Sequence, residues 1–329
     1  MRKVSTKKIT SIGGSALIEG IMMRGPKRTT VCVRTGENEI YSEDIKITTI
    51  PEKCKLFKLP LLRGIAGLID SMRLSYKSLM LSADKAVEAG EVEEEEPSKF
   101  EKWLDEKFGD KLVKVIMVFA SILGVALAVA LFFFLPSFLF DLTANVVPVF
   151  QGNGESAVFW KSVFEGVLKI ALFLGYIVLC SQMTEMKRVF MYHGAEHKTI
   201  FCYENEEELT VENVRKQIRF HPRCGTSFMV LMLIVGIVIG LFIPVAPFGI
   251  GFLRPVFKIL LLPVSCGIGY ELIKICGKHD NAFTRVIAAP GLWAQRITTK
   301  EPDDKMIEVA IEAMKAVIPD DGTDIINNK

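Results

Sequence analysis

The chain has 329 residues, half of them hydrophobic, and a formal net charge of +2 at pH 7. A balance this close to neutral favours no partner through bulk charge, and no nucleic-acid-binding motif is visible. The seven cysteines are odd in number, scattered and without a CxxC pair, which argues against a disulfide framework and favours a reducing compartment.

Residues 1–58 are predicted to form a small cytoplasmic region built on a β-hairpin. Apolar and polar residues alternate over 29–35 and again over 39–48, on either side of a short glycine-containing turn, and this period of two is typical of paired strands. Upstream, Gly13 and Gly14 precede an apolar stretch. No phosphate-loop or dinucleotide-binding spacing follows them, so we expect a turn or a close backbone contact there.

Residues 59–111 are predicted to hold an amphipathic helix and then an acidic linker. Apolar residues recur at three- and four-residue spacing through 60–83, with mainly basic polar residues between them, which indicates a helix with one buried face. Two placements are open: on the cytoplasmic surface of a membrane, which basic residues favour, or packed on the hairpin. The face expected to be buried is Leu61, Leu62, Ile65, Leu68, Ile69, Met72, Leu79 and Met80.

Residues 112–279 are predicted to form a membrane domain, because they contain four apolar segments close to or longer than the ~20 residues that a helix needs to cross a bilayer. The predicted spans are 115–140, 160–184, 226–243 and 255–276. The second contains Lys161, Glu165 and Lys169 at four-residue spacing, so these charges share one helical face. Two interpretations are open: a paired stripe that faces protein, or a polar pathway through the bundle.

Lysine and arginine are concentrated in alternate connections between these spans. Segments 141–156 and 244–253 contain neither, whereas 185–224, the N-terminal region and the residues after the fourth span contain several. The positive-inside rule therefore places both termini and the 185–224 loop in the cytoplasm of a multi-pass protein of the cell membrane.

The last region, 280–329, is predicted to be a cytoplasmic tail with a turn at Pro290-Gly291 and a helix over 303–318, which begins with acidic residues that suit a helix N-terminus. The fold class is therefore mainly α: a polytopic four-helix transmembrane bundle with a small cytoplasmic α+β N-terminal region, formed by the hairpin and the amphipathic helix.

A compact histidine motif, His193-Gly-Ala-Glu196-His197, lies in the 185–224 loop. On a helix, positions i and i+4 share a face, so both imidazoles can bind one metal ion while Glu196 stands beside them. The pattern H-x-x-E-H is the reversed form of a zinc-protease motif in which the glutamate acts as general base. We expect this helix to continue the second span, which places the motif near the membrane surface.

Two other chain segments are expected at the same level. His221 and Cys224 stand just before the third span, and Glu271 lies at the cytoplasmic end of the fourth. Their convergence predicts a divalent metal site, with zinc expected and Glu196 as the catalytic base. Each of these three also has a structural alternative: shaping a turn for His221 and Cys224, and an ion pair with Lys274 for Glu271. The candidate ligands are His193, His197, His221, Cys224 and Glu271.

Five strings, in order along nearly the whole chain, resemble the YqhQ family of bacterial membrane proteins. They are GGSALIEGIMMRGP (13–26), LPLLRGIAGLIDSM (59–72), YHGAEHKTI (192–200), HPRCGTSF (221–228) and APGLWAQRITTKEPDD (289–304). Members of that family are labelled as predicted metal-dependent enzymes, a label that itself depends on the histidine motifs. The resemblance implies that 13–26 and 289–304 belong to the working protein.

The predicted function is a metal-dependent hydrolase at the cytoplasmic face of the membrane. Its expected partners are the bilayer, anionic lipids and a membrane-associated substrate: a lipid headgroup, a lipid-linked precursor or a nearby peptide. The first alternative is a non-catalytic scaffold or regulator with a structural metal or polar site. Four protein ligands close a structural zinc site, whereas a catalytic zinc site keeps one position open. The number of protein ligands therefore distinguishes the scaffold from the hydrolase. Transport, the second alternative, would depend on Lys161, Glu165, Lys169 and Glu271.

Overall fold

The computed structural model describes residues 8–46, 48–90, 115–116, 118–144, 146–151, 154–278 and 281–328. These residues fall into two compact units. The first is built from segments within Met1–Val92, Phe173–Val235 and Pro263–Lys329, and the second from segments within Glu93–Leu172 and Gly236–Leu262. The first unit therefore joins the two ends of the chain, which the sequence pattern had separated. The predicted acidic linker lies outside the described residues.

The described chain is mainly helical with a small β region, as predicted. The strands are β1 (Lys8–Thr10), β2 (Gly13–Leu17), β3 (Gly20–Arg24), β4 (Thr29–Arg34), β5 (Ile40–Asp44) and β6 (Ile325–Asn328). The helices are α1 (Ile50–Lys53), α2 (Leu62–Glu88), α3 (Val118–Ala144), α4 (Glu155–Cys180), α5 (Thr184–Glu204), α6 (Val211–Lys216), α7 (Gly225–Gly240), α8 (Leu253–Leu260), α9 (Leu262–Lys278), α10 (Ala282–Thr298) and α11 (Asp304–Val317).

Strands β2 to β5 form a four-stranded antiparallel sheet in sequential order, and β1 pairs with β6 from the other end of the chain. The predicted hairpin is present as β4 and β5, with Arg34 opposite Ile40. No strand was predicted over 13–24, where β2 and β3 form a second hairpin with Gly13 opposite Arg24. This hairpin lacks apolar–polar alternation because nearly all of β3 is buried.

The sheet is covered by helices on both faces. Successive side chains of β3 alternate between the faces, as strand geometry requires. Ile21 and Met23 join a core with α5 and α11, whereas Met22 joins a second core with Leu74 of α2. Helix α11, confirmed close to its predicted bounds, begins where the Asp303 side chain accepts a hydrogen bond from the Met306 N–H, 2.9 Å away.

Helix α2 is present as predicted, but the predicted buried face is wrong. Three residues of the predicted face, Met72, Leu79 and Met80, are 64, 41 and 46 % exposed. Small side chains on the opposite face let the helix approach the sheet closely, and the larger apolar side chains are left outside. The residues that α2 buries are Gly64, Ala66, Asp70, Leu74, Ser78, Ser82 and Ala86.

Among the described helices, two, α3 and α4, are long and apolar enough to cross a membrane, and the count is three if α8 and α9 form one bent span. Pro263 lies at the bend between α8 and α9, where it supplies no backbone N–H for helical hydrogen bonding. Helix α7 is apolar but has only 16 residues, fewer than the ~20 that a span needs. The predicted four-helix transmembrane bundle is therefore not confirmed by the described helices.

Two predicted connections differ from the structure. Helix α4 ends at Cys180, and α5 begins separately at Thr184 after an extended residue, Met183 (φ −71°, ψ 137°). The histidine motif is therefore on its own helix and does not continue the second predicted span. The predicted turn at Pro290-Gly291 lies inside α10.

In the second unit, two of the three charged residues on this face of α4 form ion pairs with other helices, and the third, Lys169, has its Nζ atom 4.6 Å from the centroid of the Phe133 ring in α3. Lys161 lies 2.5 Å from Asp141 of α3. Glu165 forms ion pairs with Lys258 and Arg254, both on α8. An ionised side chain in an apolar bundle is costly unless it has a partner. These contacts favour a paired stripe that faces protein over a polar pathway.

Candidate metal centre

Three of the five predicted ligands meet in the first unit. The ligand atoms of His193, His197 and Cys224 all lie within 4.8 Å of one another. The His193 Nε2 atom is 3.1 Å from the Cys224 Sγ atom, and the centroids of the two imidazoles are 4.4 Å apart. Helix α5 supplies both imidazoles from one face, as the spacing predicted, and the residue before α7 supplies the thiol.

Backbone carbonyls orient both imidazoles. The His193 Nδ1 atom lies 2.9 Å from the Thr298 carbonyl oxygen, and the His197 Nδ1 atom lies 2.6 Å from that of Arg219. Because a carbonyl oxygen only accepts, each Nδ1 carries the proton and donates it. In the neutral imidazole this leaves the Nε2 lone pair free, and metal-binding histidines are typically held in this way.

The thiol and the imidazoles alter each other's ionisation. Burial opposes charge on Cys224, but the neighbouring imidazoles of His193 and His197 lower the pKa of its thiol well below the ordinary value. Burial also opposes protonation of His193, yet the Cys224 thiolate raises the pKa of that imidazole to about 9. Thiolate is the form of cysteine that ligates metals, and a metal ion bound here would displace the His193 Nε2 proton.

Glu196 lies on α5, the helix that carries both histidines, and is next to the three converging side chains. Its Oε1 atom accepts a hydrogen bond from the Gly14 N–H, with N and O 3.1 Å apart, whereas its buried Oε2 atom has no hydrogen-bond partner among the described residues. Burial raises the pKa of this carboxyl group. A carboxylate with one anchored oxygen, one free oxygen and a raised pKa is suited to accept a proton.

His221 is adjacent to the group but directed elsewhere. Its ring centroid is 5.5 Å from that of His197, yet its Nδ1 atom accepts from the Arg223 N–H at 3.3 Å and its Nε2 atom is 3.9 Å from the Glu204 carboxylate. Burial lowers the pKa of His221 to about 4, so the ring is neutral. The Gln295 side chain accepts from the backbone N–H of His221 and donates to its carbonyl, which fixes this turn.

Glu271 does not lie near His193, His197 and Cys224. Its Oε1 atom accepts from the Arg63 Nε–H, 2.6 Å away, and its other oxygen accepts from the same guanidinium. The partner expected from the sequence was Lys274, three residues along the same helix. Arg63 takes that position because α2 packs against α9, with Gly64 close to Gly267.

Several groups that shape the site had no local signal in the sequence. The Gly14 N–H and the Thr298 carbonyl act through the backbone, so no side-chain pattern identifies them. Both lie in strings that carried the family resemblance, 13–26 and 289–304. Gln295 lies in the second string and is fully buried against the His221 turn. The resemblance was therefore the only indication that these segments belong with the histidine motif.

Comparison with known proteins agrees with that indication. Residues 59–320 match a family model described as "Protein of unknown function (DUF1385)". The chain belongs to the DUF1385 family. It is 34 % identical over 308 residues to "Uncharacterized protein YqhQ" of Bacillus subtilis (strain 168), and the alignment covers 93 % of this chain and 92 % of that protein. The resemblance to YqhQ is thereby confirmed, whereas no solved structure matches the chain.

The DUF1385 match contains His193, Glu196, His197 and Cys224 but begins after Gly14. We predict that Gly14→Ala damages the site, because its Cβ atom would lie 2.6 Å from the Met22 carbonyl oxygen and 3.1 Å from the Glu196 Cδ atom. Overpacking of this kind costs about 1–3 kcal/mol, so the unfolding temperature of the detergent-solubilised protein should fall.

Gly13→Ala is the matched control, because a Cβ atom at Gly13 would meet nothing within 4 Å. It should leave the unfolding temperature unchanged. Equal effects of the two substitutions would show that the close approach of Gly14 to Glu196 is unimportant.

A cavity of about 1710 Å³ in the first unit reaches the candidate metal centre of this DUF1385 protein. One part of its lining is polar and contains the two motif histidines, Glu196 and Cys224. Another part is apolar and comes from α4 and α9. Its residues include Phe173, Tyr176, Ile177 and Tyr270. The lining also contains charged side chains outside the motif, among them Arg24, Arg28 and Arg223. A cavity with both charged groups and an apolar wall suits a ligand that has a polar group and an apolar part.

Proposed function

We propose that this protein is a metal-dependent hydrolase that acts at the cytoplasmic face of the cell membrane. The observation that carries the proposal is the convergence of His193, His197 and Cys224 within 4.8 Å, next to the free carboxylate oxygen of Glu196. Two imidazoles and a thiolate form a ligand set that zinc uses in catalytic sites, where the fourth position is left for water or substrate.

The ligand number favours this function over a structural metal site. A closed structural zinc site needs four protein ligands. Within the described part of the chain, three His, Cys or acidic side chains come within ligand distance of one another. His221 faces Glu204 and Arg223, and Glu271 pairs with Arg63, so neither supplies the fourth ligand in this arrangement.

Each side chain then has a defined task. His193, His197 and Cys224 would hold the ion, with the carbonyls of Thr298 and Arg219 fixing the two imidazoles. A bound zinc ion lowers the pKa of water to about 7. Glu196 Oε2 accepts the proton of the attacking water and passes it to the leaving group, while Oε1 stays on the Gly14 N–H.

The cavity and the helices favour a membrane substrate. The apolar wall comes partly from α4, a helix long and apolar enough to cross a bilayer. An amphiphile could therefore keep its chain against Phe173, Tyr176 and Ile177 while its polar group meets Glu196.

We include in the proposal the four-span arrangement with cytoplasmic termini, which the distribution of lysine and arginine between the apolar segments favours.

Turnover in proteoliposomes tests this function. Zinc-loaded protein should hydrolyse at least one of two fluorogenic amphiphiles, a carboxylic ester or a phosphate ester, and the His197→Ala variant should hydrolyse neither. Hydrolysis that is equal in both proteins would assign the activity to a contaminant. Stoichiometric zinc without turnover of either probe would instead favour the structural role.

A further inference from the structure

Residues 53–80 form a surface that is both basic and apolar, called here the basic apolar surface. Asp70 is the single acidic residue in this segment, and it is buried. The six basic residues are Lys53, Lys55, Lys58, Arg63, Arg73 and Lys77. Eight large apolar side chains in the same segment are 41–68 % exposed: Leu56, Leu59, Leu61, Ile69, Met72, Tyr76, Leu79 and Met80.

The helical part of this surface is a continuous stripe. At the α-helical rotation per residue, the five exposed apolar side chains from Ile69 to Met80 fall within an arc of ~100°. Arg73 and Lys77 are exposed along one edge of that arc. The side chains that α2 buries, such as Leu74 and Ser78, lie on the opposite side of the helix. The stripe is therefore directed away from the sheet.

The start of α2 is fixed to a candidate membrane helix. A Cβ atom on Gly64 would lie 3.0 Å from the Gly267 Cα atom, so the two backbones are in close contact. Arg63 pairs with Glu271 one turn further along the same helix, α9. Helix α9 is the second half of the bent pair that passes as a possible span. The helical part of the basic apolar surface thus begins beside a helix that, together with α8, passes as a possible membrane span.

We infer that the basic apolar surface rests on an anionic lipid bilayer, with the apolar stripe at the boundary of headgroups and acyl chains. An amphipathic helix with basic residues beside its apolar face binds in this position, through apolar burial and attraction to lipid phosphates. A second copy of the chain is disfavoured as the occupant, because a symmetric contact would bring the exposed lysines of one copy, Lys53, Lys55, Lys58 and Lys77, against the same four lysines of the other. The inference requires neither a bound metal nor turnover.

Environment-sensitive probes in the full-length protein test the inference. A fluorophore is attached to Met72→Cys or Tyr76→Cys in a Cys54→Ser background, since Cys54 is itself exposed. The matched control is Glu88→Cys, on the same helix, outside the stripe and 65 % exposed. Each variant is reconstituted in phosphatidylcholine alone and in equal parts phosphatidylcholine and phosphatidylglycerol.

In the anionic liposomes, the probes at positions 72 and 76 should be quenched by doxyl-labelled lipid, and that at 88 should not. Before labelling, cysteines at 72 and 76 should react with a water-soluble thiol reagent at least about tenfold more slowly than at 88, because the bilayer excludes the reagent. The double variant with Arg73→Gln and Lys77→Gln should weaken binding of the basic apolar surface to the anionic bilayer about fivefold for each charge removed. The His197→Ala variant should give the same probe signals as wild type.

Three results would overturn the inference. Equal thiol reactivity at 72, 76 and 88 would place the stripe in water. Protection from the thiol reagent without quenching by doxyl lipid would identify a protein as the occupant. Quenching that is the same in both lipid mixtures, and unaffected by the two glutamine substitutions, would remove the role of anionic headgroups.

Discussion

His193→Ala and His197→Ala are each expected to reduce zinc affinity by at least about 100-fold, more than the 10–100-fold cost of losing a group that only orients a ligand. Each removes one of three converging donors, and a site with two donors holds zinc weakly. Zinc content after extraction in mild detergent, and competition with a chromogenic chelator, measure the effect. Cobalt substitution adds a separate signal, because the thiolate-to-cobalt absorption band should disappear in Cys224→Ser.

Two controls accompany this experiment. Cys202→Ser changes another buried thiol, one that faces the backbone carbonyls of Glu207 and Glu208, and should retain zinc. His221→Gln removes the histidine that lies beside the site but points toward Glu204, and should retain most of the affinity. If His221→Gln loses zinc as completely as His193→Ala, the ion has four protein ligands and the structural role is correct. Wild-type protein with less than about a tenth of an equivalent of any transition metal would contradict the metal site altogether.

Glu196→Gln should abolish most turnover while leaving zinc bound. Glutamine has nearly the same shape, and its carbonyl oxygen can still accept the Gly14 N–H bond that Oε1 now accepts. It has no basic oxygen in the place of Oε2, so the loss of general-base catalysis should lower the rate by about 10²–10⁴-fold. The measurement is hydrolysis of the amphiphile identified in proteoliposomes, with zinc content determined on the same samples.

Glu185→Gln, an exposed position in the first turn of the same helix, is the matched control and should retain the wild-type rate. Full activity in Glu196→Gln would exclude Glu196 as the base. Loss of zinc together with activity would instead make Glu196 a ligand. The two outcomes assign different chemistry to the same carboxylate, and zinc content distinguishes them.

Periodic patterns in the sequence predicted the elements they describe. The four-residue spacing of His193 and His197 predicted a shared helical face, and alternation over 29–48 predicted the β4–β5 hairpin. Two predictions from local patterns failed. Strand β3 was not predicted because both of its faces are buried, so its residues show no alternation of apolar and polar side chains. The Pro290-Gly291 pair predicted a turn, but the helix continues through Pro290.

The amphipathic pattern of α2 was identified correctly, yet its orientation was not. Apolar residues normally mark the buried face of a helix in water, so Met72 and Leu79 were expected inside. In the structure the small face, with Gly64 and Ser78, packs on the rest of the unit, and the apolar face remains exposed. A hydrophobic pattern reports an apolar environment without specifying whether protein or lipid provides it.

By itself, the sequence determined the types of most elements, the H-x-x-E-H helix and membership in the YqhQ group, because these depend on local spacing and on strings of residues. Tertiary structure decided which distant side chains meet. In the structure Cys224 lies beside the histidine pair, His221 faces Glu204, and Glu271 pairs with Arg63. Such partners are fixed by packing between segments far apart in the chain, and by backbone donors and acceptors such as Gly14 and Thr298, whose hydrogen bonds leave no mark on residue type.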